Sequence, residues 1–182
     1  MRLLFPKRTG VIFVNLVPGL SLSAGIAHSQ LSRRDTEALS QASLIYIATV
    51  RKSGNQSTAA PVWFTTTPDR GDVLIQTAPT SWKARRIRRG SPVMVWIGQL
   101  NGPAFTGKAQ ITSEPALINR IVKDCTKKYW LAWVGLHRPT EERFSRGEIV
   151  AIKITPSRDL PEDFAFVPGA PAPKLSDSAR TE

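Results

Sequence analysis

The sequence predicts a mainly β (α+β) fold: one antiparallel barrel of six short strands with a few peripheral helices. Three observations predict it. Short runs rich in β-branched and aromatic residues recur along the chain. Tight-turn signals such as Ser53-Gly54-Asn55 and Asn101-Gly102-Pro103 join them. Helical patterns do not alternate with them regularly, which disfavours a doubly wound parallel sheet and favours a barrel.

Residues 1–30 differ in character from the rest of the chain. Arg2, Lys7 and Arg8 precede an apolar stretch from Gly10 to about Ala24, and Gly25 and Ala27 sit as at a small-residue cleavage site. This is the layout of a secretory signal peptide; the competing reading is an upstream extension that is neither cleaved nor folded. Asn15, Pro18 and Gly19 break the run, so no stable membrane span is expected. A cytoplasmic location is expected unless the segment is a true signal peptide.

The folded domain is expected over residues 31–156. Leu31, Ala38, Leu39 and Ala42 mark one face of a short helix. Strands are expected at Leu44–Arg51, Ser57–Thr67 and Asp72–Ala78, the last two forming a hairpin over Pro68-Asp69-Arg70-Gly71. Pro92–Gly98 and Ala104–Ser113 form the fourth and fifth, and Glu148–Thr155 the sixth. Two helical patterns interrupt them: Ser81–Gly90, short and very basic, and Pro115 to about Leu131, with Leu117, Ile118, Ile121 and Val122 on one face. Residues 157–182 read as a Pro-rich tail, partly disordered.

Composition narrows the function classes. The chain has 182 residues and a formal net charge of +11, so an anionic ligand or partner is expected: nucleic acid, a membrane surface, or a phosphorylated small molecule. With one cysteine, Cys125, and two histidines, His28 and His137, neither an intrachain disulfide nor a Cys/His zinc site is available. Cys125 falls in a helical pattern and reads as a quiet, partly buried thiol. No Ser/His/Asp arrangement and no carboxylate pair stands out, so the catalytic residues are unassigned.

The chemistry concentrates between Gln76 and Arg89. A strand ends at Gln76-Thr77, a hydroxyl-rich turn comes next, and a helix begins at Thr80 or Ser81, either of which can cap it. Unpaired N–H groups at that helix start, with Lys83 in its first turn, make a candidate phosphate site. Helical geometry spreads Lys83, Arg85, Arg86, Arg88 and Arg89 around the axis, so one or two can serve a ligand and the rest are surface charge. Upstream, Pro61-Val62-Trp63-Phe64 offers apolar side chains and a backbone that could face a planar ring. Trp63 and Phe64 lie on opposite faces of a strand, so at least one belongs to the core; Trp96 reads as core as well.

In order and spacing these motifs resemble the pyridoxamine 5′-phosphate oxidase-like flavin-binding split barrels. The resemblance runs through Tyr46-Ile47-Ala48-Thr49-Val50-Arg51, the Gly54 turn, Pro61-Val62-Trp63-Phe64, Gln76-Thr77 and Ser81-Trp82-Lys83-Ala84-Arg85. It continues through Ile87-Arg88-Arg89-Gly90-Ser91-Pro92-Val93 and Phe105-Thr106-Gly107-Lys108-Ala109. It implies a six-stranded Greek-key split barrel and a homodimer with cofactor at the subunit interface. FMN is the implied cofactor, with the deazaflavin coenzyme F-420 or haem in other branches. By position, Thr77 and Ser81 would contact the phosphate and Lys83 would supply its counter-charge. The Val62–Phe64 backbone would lie along the ring, with Gln76 near the same pocket. Trp82, also expected at the cofactor, stands where many members carry a basic residue, which weakens the phosphate clamp or changes what stacks there. The strand around Ser57–Ala60 lacks the arginine and lysine of true pyridoxamine phosphate oxidases, which points away from that vitamin B6 activity.

The expectation is therefore an FMN- or deazaflavin-dependent oxidoreductase acting on a small organic substrate. Its rivals are a non-catalytic cofactor or haem binder and a basic barrel for single-stranded nucleic acid. Nucleic acid is not the expected partner, because the arginines crowd onto one helix and are not interleaved with aromatics along a groove.

Overall fold

A computed structural model describes residues 31–69, 71–129 and 138–157. The expectations for the leader, nearly all of the tail, His28 and His137 lie outside them. In chain order the elements are α1 (Arg33–Gln41), β1 (Ile45–Thr49), β2 (Ala60–Val62), β3 (Phe64–Thr66), β4 (Val73–Thr77), α2 (Trp82–Arg88), β5 (Val93–Ile97), β6 (Ala104–Thr112), α3 (Pro115–Lys128), α4 (Glu141–Ser145) and β7 (Val150–Pro156).

The strands form one sheet in the order β2-β1-β5-β6-β7-β4-β3, and every neighbouring pair is antiparallel. Its two edges, β2 and β3, are separated in the chain by Trp63 alone. Val62 and Phe64 can therefore stand no more than about 7 Å apart. A flat seven-stranded sheet would hold its edges roughly 29 Å apart, at about 4.8 Å per strand. The sheet must curl until the edges meet, giving a nearly closed barrel.

Seven strands stand where six were expected. The 57–67 segment divides at Trp63, pairing first with β1 (Val62 opposite Ile45) and then with β4 (Phe64 opposite Ile75). Pro61 lies on the edge strand β2, where a missing N–H is tolerated.

Alternation sorts the side chains. Ile45 and Ile47, Val73 and Ile75, Val93, Val95 and Ile97, and Ile152 and Ile154 turn inward to one buried cluster. Phe64, Val62 and Ile87 of α2 join it. Leu74 and Ala151 turn outward, under Ile121, Cys125 and Tyr129. Trp96 is 1% exposed, packed with Ala48 and Met94. Cys125 is buried, and burial pushes its thiol up to about 12, so it stays protonated and unreactive. Gly107 lies opposite Pro156 in the β6–β7 pairing. A Cβ there would lie 2.7 Å from Ile154 Cγ2 and 3.0 Å from the Thr155 carbonyl oxygen, so a larger residue fits only if these neighbours shift.

Hydroxyl caps start the described helices except α3, which follows Glu114 with Pro115 in its first turn and no side-chain cap. Ser32 and Thr140 cap α1 and α4, accepting the N–H groups of Asp35 (3.1 Å) and Arg143 (3.2 Å). The sequence pattern does not reveal α4, whose five residues are too few to show a helical period.

The partner switch at Trp63 is held from outside the sheet. Tyr129 Oη accepts the Phe64 N–H (3.0 Å) and donates to the Phe64 carbonyl (3.2 Å), while Trp63 stacks on the Tyr129 ring at 4.6 Å and 7°. Tyr129→Phe leaves both buried backbone groups unpaired and is expected to cost about 1–3 kcal/mol. Urea denaturation measures it; a loss below about 0.5 kcal/mol, the range of ordinary surface substitutions, would contradict this account.

Candidate functional site

The strand–turn–helix unit forms as the sequence indicates. β4 ends at Thr77, the chain turns with the Ser81 N–H on the Ala78 carbonyl (3.1 Å), and Ser81 caps α2. Ser81 Oγ accepts the Ala84 N–H at 3.2 Å and the Thr77 hydroxyl at 3.1 Å. Both of its acceptor positions are then used, and its own O–H is left to donate. Thr77, Ser81 and Lys83 are thus brought together by one short turn.

Lys83 is half-buried on the inward side of α2, beside the fully buried Ala84. Burial pulls its ammonium below the ordinary lysine value. Among the described residues no carboxylate pairs with it. A cation drawn from water without a counter-charge is unfavourable for the ligand-free protein and favourable for binding an anion. Lys83→Met is accordingly expected to stabilise the ligand-free protein by about 0.5–2 kcal/mol. Because the folded-state pKa lies below the unfolded one, the folded protein binds fewer protons between the two values. The cost is fully present below that window and is relieved as pH rises through it toward 10.5. Denaturation of the two proteins from pH 7 upward checks this; a variant less stable than its parent would contradict it.

The other predicted residues divide. Val62 and Phe64 point into the barrel core, 8% and 1% exposed. The Phe64 N–H and carbonyl, expected to lie along a ring, are held by Tyr129. Trp63 is on the outer side, stacked on Tyr129. Gln76 is half-buried and alternates onto that outer face with Leu74, opposite Thr77. Pro61 is exposed. Trp82 is 51% exposed, its ring flanked by the guanidiniums of Arg85 (5.1 Å) and Arg86 (5.5 Å). Thr77, Ser81 and Lys83 lie on one turn, and Val62 and Phe64, turned into the core, are not gathered with them. The two described cavities lie elsewhere, one of about 330 Å³ between α1 and the β3–β4 turn, the other beside the Asn101-Gly102-Pro103 turn.

Sequence reasoning passed over Arg86. It is 7% exposed, and its Nη1 donates to Thr49 Oγ1 at 3.4 Å. Thr49 is itself buried, its N–H bonded to Ser57 Oγ at 3.0 Å. The available signal was spacing: position 86 lies three residues from 83, on the same helix face. Arg85, Arg88 and Arg89 are exposed, as expected of surface charge.

No helix among the described residues is long and apolar enough to cross a membrane. No functionally curated protein matches the chain. Three solved structures share the fold, each at a TM-score of 0.50. A Listeria innocua protein provisionally designated pyridoxamine 5′-phosphate oxidase is 18% identical, over 67% of this chain and 90% of that one. A Bacteroides thetaiotaomicron protein described as conferring 5-nitroimidazole antibiotic resistance is 13% identical, over 70% and 81%. The haem storage protein HutZ of Vibrio cholerae is 11% identical, over 71% and 92%. At such identities the likeness is one of fold. A family model, pyridoxamine 5′-phosphate oxidase, matches residues 33–159, and the chain belongs to that family.

Proposed function

We propose that this protein binds a flavin-type cofactor, FMN or the deazaflavin F-420, and acts as an oxidoreductase on a small organic substrate. The observation that carries the reading is Lys83, a half-buried ammonium with no carboxylate partner among the described residues, on the same turn as the unspent Ser81 hydroxyl. That pair fits the phosphate of such a cofactor: Lys83 supplies the counter-charge and Ser81 a directed donor, with Thr77 orienting Ser81. When bound, the flavin supplies the hydride or electron transfer. The chain's own work is to hold the phosphate, orient the ring and exclude water. In this reading Trp63 and Gln76, on the outer face, line the ring. Because Val62 and Phe64 turn into the core, the remaining wall comes from the second subunit of a homodimer.

The absorbance spectrum of freshly purified protein, combined with titration by FMN and the deazaflavin, tests the reading. Flavin-type absorption or saturable uptake of either is expected. A colourless protein that takes up neither would contradict it, and a haem spectrum would favour the haem-binding rival.

A further inference from the structure

One half of α2 faces water. Lys83, Ala84, Arg86 and Ile87 lie on the barrel side, half-buried or buried, while Trp82, Arg85, Arg88 and, at the C-cap, Arg89 are exposed. Among the described residues Trp82 is the one large apolar side chain that stands exposed, at 51%. The Arg85 guanidinium lies 5.1 Å from its ring centroid, a cation–π contact that leaves about half of the indole in water. Arg88 donates to the Pro79 carbonyl at 2.7 Å. None of Arg85, Arg88 and Arg89 pairs with a carboxylate among the described residues, and residues 73–113 contain no Asp or Glu. An amphipathic ring therefore sits within a patch of uncompensated positive charge.

Charge complementarity calls for a negative partner, and the make-up of the patch selects its kind. A single nucleic-acid strand is held by successive aromatic platforms along a groove. Here Trp63 is stacked on Tyr129 and Trp96 is buried, so Trp82 is the one exposed tryptophan platform among the described residues. A protein partner needs an apolar interface core, which one indole among arginines does not supply. An anionic lipid surface needs neither groove nor core: an indole settles at headgroup level, and basic side chains meet the phosphates around it. We propose that the outer face of α2 docks on an anionic phospholipid surface, with Trp82 at the headgroup level and Arg85 and Arg89 on the lipid phosphates. The contact is peripheral and crosses no bilayer. It does not rest on the cofactor reading, because Lys83 lies on the barrel side of the helix.

Sedimentation of the full chain with vesicles of phosphatidylcholine, alone or mixed with phosphatidylserine, tests this. Binding is expected to the mixed vesicles only, and to weaken as salt is raised. Arg85→Gln and Arg89→Gln should each weaken it about fivefold, as for one basic residue at an anionic surface. Trp82→Ala should weaken it about threefold to tenfold, for loss of part of one aromatic burial. All three positions are exposed, so folding is not at issue. Lys127→Gln, which removes an exposed charge on α3, should change binding by less than about twofold. Failure to bind the mixed vesicles would overturn the proposal. Binding untouched by Trp82→Ala and Arg85→Gln would do so by placing the contact elsewhere, and equal weakening by Lys127→Gln by reducing it to diffuse charge. Tighter, Trp82-dependent binding of oligothymidylate would assign the face to nucleic acid instead. A loss of oligomer mass in Trp82→Ala without vesicles would make it a subunit contact.

Discussion

Lys83→Ala is expected to weaken FMN binding by about 1.5–3 kcal/mol, the range for a hydrogen bond to a charged group, or roughly 10–150-fold in Kd. Riboflavin, which has the ring but no phosphate, should bind the variant as it binds the wild type. The reason is electrostatic. Burial has already lowered the affinity of Lys83 for its proton, and a phosphate restores it. The same reasoning gives a pH dependence. FMN affinity should fall as pH rises through the lowered pKa of Lys83, because the ammonium that meets the phosphate is lost. The gap between FMN and riboflavin should close over the same range. Fluorescence titration of both ligands checks each statement. An FMN affinity unchanged by Lys83→Ala would place the phosphate elsewhere.

Phe64→Ala is expected to act on stability, at about 3–5 kcal/mol for loss of a large buried aromatic side chain. Phe64 is 1% exposed inside the barrel, and the Lys128 ammonium lies 3.6 Å from its ring centroid. It also opens β3, one of the two edges whose meeting closes the sheet, so collapse around the void would disturb the closure itself. A loss of that size is most of the stability of many domains, so the variant is best measured by urea denaturation at low temperature. A stability loss below about 1 kcal/mol, with a large loss of FMN affinity, would show Phe64 to be a cofactor platform and the core assignment to be wrong.

The legible parts of the fold were the local ones. β1, β4, β5 and β6 lie within the segments marked by β-branched runs and turn residues, and β7 overruns its segment by Pro156 alone; α1 and α3 follow their apolar periodicity, and α2 its hydroxyl cap. The division of the 57–67 strand at Trp63 was not legible, because it arises from closure: the segment changes partner where the two edges of the sheet meet. The role of Tyr129 was hidden for the same reason, since it serves a backbone far away in sequence.

The candidate site divided along similar lines. The capped turn that carries Thr77, Ser81 and Lys83 was readable because capping is local chemistry. The inward or outward sense of Val62, Trp63, Phe64 and Gln76 depends on strand register, which the sequence leaves open by one residue and hence by one face. Arg86 was passed over because a basic residue on a basic helix reads as solvated charge. Only packing against β1 shows it to be buried.

The most direct measurement of the central claim is the position of the phosphate in a crystal structure of the FMN-bound protein. The account predicts a phosphate oxygen within about 3 Å of Lys83 Nζ and another within reach of Ser81 Oγ, the distances of charge-assisted hydrogen bonds. FMN bound with its phosphate away from the Thr77–Lys83 turn, and Lys83 directed into water, would contradict it.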